Sequence, residues 1–453
     1  MTYTYKEIWK ISYPILAGLV IQQLIGLTDT AFLGRVGDIE LGASAIAGVY
    51  YIMIFMLGQG FSIGAQIIIA RRNGEKNYAK TAPIVYAGIA FLEAAALIFI
   101  LLSLNFSPYI LGAVISSPEI YQAAVDYLDY RIFGFFFAFI IIMFRAFYVG
   151  IIDTKVLTVN ALIMLFINIG LDYLFIFGKL GFPAMGIKGA ALASVIAEAV
   201  SALFFIVYTI CRIDIRKYGF MTMKIFDFGL LKNILNVSVW TMLQAFVSIA
   251  TWFLFFVAIE HLGEKALAIS NILRSLSALP YMIAMALGAA ANSITSNLIG
   301  ENKSYEVMKA AKKAIVMAYG FGLACELLML IFPVQSMKIY TDNTALIQDA
   351  LPAFYAMLTI YLTIVPGTVL FNVVSGTGDT KKAMYMELIS ITFYMANVWY
   401  VVVYLKADVA WCWTCEHSYN IVLFWLAYRH LKRICFPSPK RHSGDDSLCS
   451  RAV

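Results

Sequence analysis

Charge is what this sequence has least of. Only 13% of its 453 residues are Asp, Glu, Lys or Arg, against 62% hydrophobic, and the mean hydropathy is +0.82. A soluble chain of this length needs charged, solvated faces for two or three domains, so the scarcity excludes that class and points to an integral membrane protein. The six cysteines stand at 211, 325, 412, 415, 435 and 449, mostly in apolar helices or the tail, and give no sign of an extracellular disulfide framework. No small-residue cleavage site follows a short apolar core near the start, so no signal peptide is read and the first helix is expected to stay. No Gly-x-Gly-x-x-Gly or Gly-Lys-Ser/Thr loop occurs after a strand, which argues against ATP as energy source. The net charge of +6 is dealt out one short loop at a time rather than gathered into a patch, which speaks for topology and against a nucleic-acid partner.

Long apolar runs are what the sequence does have. A crossing needs about 20 apolar residues, and twelve candidates are centred near Gln22, Phe55, Ala94, Phe137, Phe166, Val200, Ala250, Met285, Leu323, Leu362, Tyr394 and Phe424. An even number puts both ends on one side. With that side cytoplasmic, 24 Lys and Arg fall in inner segments and 6 in outer ones, with Arg131, Arg145 and Arg274 left inside spans; the positive-inside rule therefore favours cytoplasmic termini in the cell membrane. The expected organisation is an N-terminal six-helix lobe over 1–211, a cytoplasmic connector over 212–232 containing a short surface helix, a C-terminal six-helix lobe over 233–432 and a polar tail over 433–453.

The halves are alike. VGDIELGASAI from Val36 can be laid on LGEKALAISNI from Leu262, and the same shift of 226 places Lys6 on Lys232, Ser12 on Ser238, Gly74 and Glu75 on Gly300 and Glu301, and GIIDTK from Gly150 on GTGDTK from Gly376. Six crossings per half keep both in one sense, so the lobes are related by a pseudo-two-fold axis along the membrane normal. The fold class is all-α, two bundles facing a cleft, an arrangement suited to alternating access by a secondary transporter. The shared Gly-Glu and Asp-Thr-Lys segments read as turns and helix starts.

Carboxylates inside the spans are the informative exceptions. An aspartate at a helix centre costs about 2.5 to 3.5 kcal/mol on insertion scales, and such residues mark ion or substrate pathways. Asp29 lies six residues before Arg35, about 9 Å below that end of its helix. On the fifth span Asn168 and Asp172 are four apart and share a face, while Tyr127 and Ser194 fall at a similar depth. The shift of 226 turns Asp29, Tyr127, Asn168 and Asp172 into Phe255, Ala353, Tyr394 and Val398, so the repeat does not copy these groups. Two close carboxylates in low dielectric call for a raised affinity for a proton or a bound sodium ion; the alternative for Asp29 is a static salt bridge with Arg131 or Arg145, or a side chain that snorkels outward. Glu198, one turn from Ser194, is a further candidate for the network. Glu93 and Glu326 stand alone, Glu387 reads as an interfacial charge beside Lys381 and Lys382, and His261, His430 and His442 read as solvated. Cys412 and Cys415, followed by Glu416 and His417, lack the second ligand pair that a zinc site wants.

The opening SYPILAGLVIQQLIGLTDTAFLGRVG, the fifth-span NIGLDYLFIFG and the following GIKGAALAS resemble the multidrug and toxic compound extrusion (MATE) transporters, over about residues 5 to 432. The resemblance implies export of organic, often cationic and amphiphilic, compounds in exchange for protons or sodium ions, with no other cofactor. It carries the N-terminal cation site onto Asp29, Asn168 and Asp172, with Tyr127 and Ser194 in the same network. Pro14 matches a first-helix proline whose bending couples cation binding to release, and Gln22 lines the same cavity. The seventh span has no acid until Glu260, and the tenth offers Asn372 instead of one; this departure favours the branch often called DinF-like, which relies on the N-terminal lobe, over a second cation site. The protein is expected to act as a monomer among membrane lipids on small organic substrates. The alternative is a flippase for a lipid-linked precursor on a related two-lobed fold, for which a basic cleft would be needed.

Overall fold

The computed structural model describes residues 3–221 and 227–435, and among these every regular element is helical. In hydrocarbon no water is available to a free peptide group, so a chain this apolar satisfies its backbone within helices. The order is α1 (Tyr5–Leu33), α2 (Asp38–Gly74), α3 (Thr81–Val114), α4 (Pro118–Arg131), α5 (Gly134–Gly150), α6 (Lys155–Phe177) and α7 (Ile187–Arg212), then α8 (Phe228–Glu260), α9 (Glu264–Gly300), α10 (Ser304–Ile331), the short α11 (Pro333–Lys338), α12 (Thr344–Gly376), α13 (Thr380–Val398) and α14 (Val409–Cys435). A π-helical stretch, Trp399–Tyr404, prolongs α13. Ten helices are long and apolar enough to cross a membrane, and α4 with α5, joined through a 53° bend, pass the same test as a pair. The twelfth expected crossing, α14, has the length at 27 residues but not the hydropathy, because Glu416, His417, Ser418 and Asn420 interrupt it.

The repeat is written into the helix ends. α2 and α9 begin and end 226 residues apart, and α12 spans the counterparts of α4 and α5 together. Left-handed backbone recurs at the same offset: Lys76 and Asn302 have φ of 58° and 59°, Ile152 and Gly378 65° and 91°, Leu180 and Lys406 53° and 46°. Side chains other than glycine avoid this region, so the matched turns reflect a shared loop geometry rather than local preference. The halves differ at one place. Where the first has the elbow between α4 and α5, α12 continues as one helix.

The chain divides into two compact units, Ala17–Ala245 and Met1–Leu16 with Phe246–Val453, here the first and second unit. Their borders fall inside α1 and α8, whereas the sequence places the lobes at 1–211 and 233–432; packing rather than chain order defines a unit. The start of α8 packs into the first unit, where Ser238 and Thr241 hydroxyls donate to the Phe61 and Gly60 carbonyls at 3.1 and 2.7 Å. A side chain at Gly60 or Gly64 would collide with that segment. The helix expected in the connector is absent from its described part: residues 213–221 form a bend and turns. The Tyr218 carbonyl accepts from Ala82 N at 3.1 Å and the Phe220 carbonyl from the Tyr86 hydroxyl at 2.9 Å, which ties the segment to α3. Residues 222–226 and the tail from 436 onward lie outside the described residues.

Candidate functional site

Three helices of the first unit bring the sequence-selected acids together. α6 presents Asn168 and Asp172 one turn apart, buried to 1% and 0% exposure, and α7 presents Ser194 at 7%. Asp29 on α1 and Asp172 are within hydrogen-bonding reach of each other. With its amide oriented to satisfy its neighbours, Asn168 donates to Asp29 Oδ1 at 3.0 Å and to Asp172 Oδ2 at 3.3 Å, which leaves the amide oxygen for the Ser194 hydroxyl, 3.4 Å away. Asp172 Oδ1 is buried with no hydrogen-bond partner. A carboxylate oxygen left unpaired in low dielectric is costly, and two carboxyls this close cannot both carry charge unaided. The cluster suits a shared proton or a hard cation taken by oxygen donors.

Beside it lies a second polar group. Arg131, the last residue of α4, donates to both oxygens of Glu198 on α7, Nη1 to Oε2 at 2.8 Å and Nη2 to Oε1 at 2.6 Å, and its guanidinium lies 3.7 Å from the centre of the Tyr51 ring on α2. Glu198 thus belongs to an ion pair rather than to a free cavity wall. The salt-bridge alternative for Asp29 is not what the structure has: among the described residues no ion pair joins Asp29 to Arg131 or Arg145, and Arg131 is bound to Glu198, although Arg131 acts electrostatically on Asp29 and both act on Tyr127. Pro14 is not brought to this cluster: it is buried in the stretch of α1 that packs with the second unit, fifteen residues from Asp29 and so about 22 Å along the helix. Gln22 is exposed, two turns from Asp29, outside the hydrogen-bonded set.

The second unit holds acids that the sequence reading undervalued. Glu387 is not an interfacial charge: it is 1% exposed, accepting from Ser248 of α8 at 2.6 Å and from Tyr419 of α14 at 2.9 and 2.8 Å. One turn from Cys412, Glu416 accepts from Tyr394 at 2.9 Å. The available signal was that Glu387 lies two turns inside an uninterrupted apolar helix, too deep for the surface. His430 is likewise not solvated; its imidazole meets Asp379 at 3.0 Å. His417 sits between the Thr359 and Thr363 hydroxyls, both 3.0 Å away. Cys412 and Cys415 are buried in α14 with sulfurs toward the Ala407 and Trp411 carbonyls. His442 is outside the described residues.

Two segments, 14–174 and 231–400, match the MatE family model, which covers well over half of the chain. The chain belongs to the MATE family. It is a multi-pass membrane protein of a transporter family, not of an enzyme family. Among curated relatives, the probable multidrug resistance protein NorM of Thermotoga maritima is 25% identical over 418 residues, 90% of this chain and 88% of that one. The multidrug resistance protein NorM of Aliivibrio fischeri is 26% identical over 350 residues, 75% and 74%. Among solved structures, a MATE transporter in complex with MaL6 superposes with a TM-score of 0.85 at 21% identity, covering 95% of this chain and 97% of the other. A MOP superfamily transporter from Pyrococcus furiosus gives 0.86 at 20%, covering 95% and 96%. This MATE chain therefore has the fold of those structures, and its matched segments fall one in each half of the repeat.

Proposed function

We propose that the protein is a secondary antiporter of the DinF-like branch, a monomer in the cell membrane with both termini in the cytoplasm. It exports small organic, often cationic and amphiphilic, compounds in exchange for protons or sodium ions. The observation that carries the reading is the buried Asp29–Asp172 pair, bridged by Asn168 and with Asp172 Oδ1 lacking a partner. Such a pair has to hold a cation in one conformer and release it in another, and exchange follows when cation and substrate favour different conformers. Relatives named for multidrug resistance support the reading of compound export.

A lipid-linked precursor with phosphates would want free guanidinium groups in a cleft. Arg131, the arginine beside the acid cluster, is engaged by Glu198, and the cluster itself is built of carboxyls, so the exporter reading is favoured. The test is efflux of a fluorescent organic cation from proteoliposomes under an imposed proton or sodium gradient. Gradient-driven efflux that Asp29→Asn abolishes supports the reading; coupled efflux undiminished in Asp29→Asn overturns the site.

A further inference from the structure

The ion pair beside the acids is unexplained by the scaffold. The shift of 226 turns Arg131, Glu198, Tyr51 and Gly134 into Met357, Phe424, Ser277 and Ile360, so the second half folds the same elements with none of them. The elbow between α4 and α5 has no counterpart either. Pair, elbow and Asp29–Asp172 cluster occur together in one unit and are together missing from the repeat. That co-occurrence ties the pair to the chemistry of the acids, not to helix packing.

The charges facing Arg131 come from every neighbouring helix: Asp29 of α1, the Tyr51 ring of α2, Tyr127 on its own α4, Asp172 of α6 through Asp29, and Glu198 of α7. Two carboxyls, those of Glu198 and Asp29, act on one guanidinium, and a third, Asp172, acts on Asp29. While a cation neutralises Asp29 and Asp172, Glu198 is the only carboxylate that needs Arg131. Once the cation leaves, Asp29 becomes an unpaired charge in low dielectric, and the guanidinium already within electrostatic reach of it is the compensation at hand. Arg131 ends its helix at the elbow, with Ile132 and Phe133 between it and the start of α5.

We propose that Arg131 is a counter-ion shared between Glu198 and Asp29, held by Glu198 while the aspartate pair carries its cation and drawn to Asp29 when the pair empties. Arg131 is then a positioning residue: it sets how tightly the site holds its cation and stabilises the emptied state through which release passes. Glu198 tunes that competition by withholding the guanidinium.

The experiment measures the cation concentration that half-saturates efflux in proteoliposomes, as pH in sodium-free buffer and as sodium at fixed pH. Glu198→Gln frees Arg131 for Asp29 and should raise the half-saturating concentration about tenfold or more. Arg131→Met combined with Glu198→Gln removes both rivals and should return it to within about threefold of the unmodified protein. A pair acting only as a strut would lower the maximal rate and leave half-saturation in place, and that result, or a fall in half-saturation, overturns the inference. Should Glu198→Gln not fold, Glu198→Asp, which keeps the charge but shortens the reach and so weakens the hold on Arg131, decides the same question: a rise smaller than tenfold is expected, and an unmoved half-saturation overturns the inference. The inference rests on the proposed cation site, and the two fail differently: coupled efflux surviving Asp29→Asn removes the site, whereas loss of coupling there with unmoved half-saturation in the Glu198 variants removes only the shared counter-ion.

Discussion

Gly134→Ala adds a single methyl group at the most crowded polar point of the first unit. A Cβ built there falls against Arg131 Nη1 and Glu198 Oε2, closer than real Cβ contacts, and stands 3.1 Å from the Tyr51 hydroxyl. The two charged groups must retreat, and the guanidinium has no room on its other side, where the Tyr51 ring is 3.7 Å away. At least one of the bonds at 2.6 and 2.8 Å is then lost. Losing one charge-assisted hydrogen bond costs about 1.5–3 kcal/mol, and full rupture of a buried pair about 3–5 kcal/mol. Alanine returns about 1 kcal/mol of helix propensity. The net expectation is a destabilisation of about 0.5–2 kcal/mol for one lost bond and about 2–4 kcal/mol for full rupture, read as a lowered Tm in detergent. Gly48→Ala in α2 is the matched control, because a Cβ there meets nothing within 4 Å; it should be neutral or raise Tm. In a Glu198→Ala background the penalty at Gly134 should shrink, since the colliding carboxylate is gone. A Gly134→Ala protein melting at or above the unmodified one would refute the packing argument.

Ile152 is a β-branched residue at φ 65° where its repeat counterpart is Gly378; Ile152→Gly should stabilise the protein by about 0.5–1 kcal/mol, the relief of left-handed strain less the backbone entropy of glycine, measured by thermal unfolding. The His430 hydrogen bond, followed by Lys382, holds Asp379 down to about 2 from its ordinary 3.8. A depressed carboxylate stabilises above its unfolded value and loses that contribution as pH falls from about 4 toward 2. His430→Ala should therefore lower Tm at neutral pH, with the gap closing over that acid window; a gap that persists at pH 2 would contradict the assignment. Asp29→Asn should abolish gradient-driven efflux while leaving Tm intact or raised, because it removes one of two competing charges.

Much of this was legible because the membrane simplifies the reading. Hydropathy gives the crossings, and a shift of 226 gives the repeat down to matched helix ends. Asp29, Asn168, Asp172 and Ser194 could be grouped from depth and face alone, since helical rise is fixed. The misses have a common physical origin. Arg131 was expected as a possible partner for Asp29, but which carboxylate it takes depends on the elbow after α4, which no periodicity announces. Lys381 and Lys382, near in sequence, point to the surface for Glu387, yet two turns of helix carry it into the core to meet Ser248 and Tyr419, donors from other helices. His430 reads as solvated in sequence because its partner Asp379 is 51 residues away. In each case the deciding contact is tertiary.

The unit borders inside α1 and α8 bear on how a doubled chain of this kind arises. The opening of α1 belongs with the second unit and the opening of α8 with the first, a reciprocal exchange of equivalent segments. Before fusion, two copies of a half-length ancestor packed this way would already have been a swapped dimer, each lending its first turns to the other.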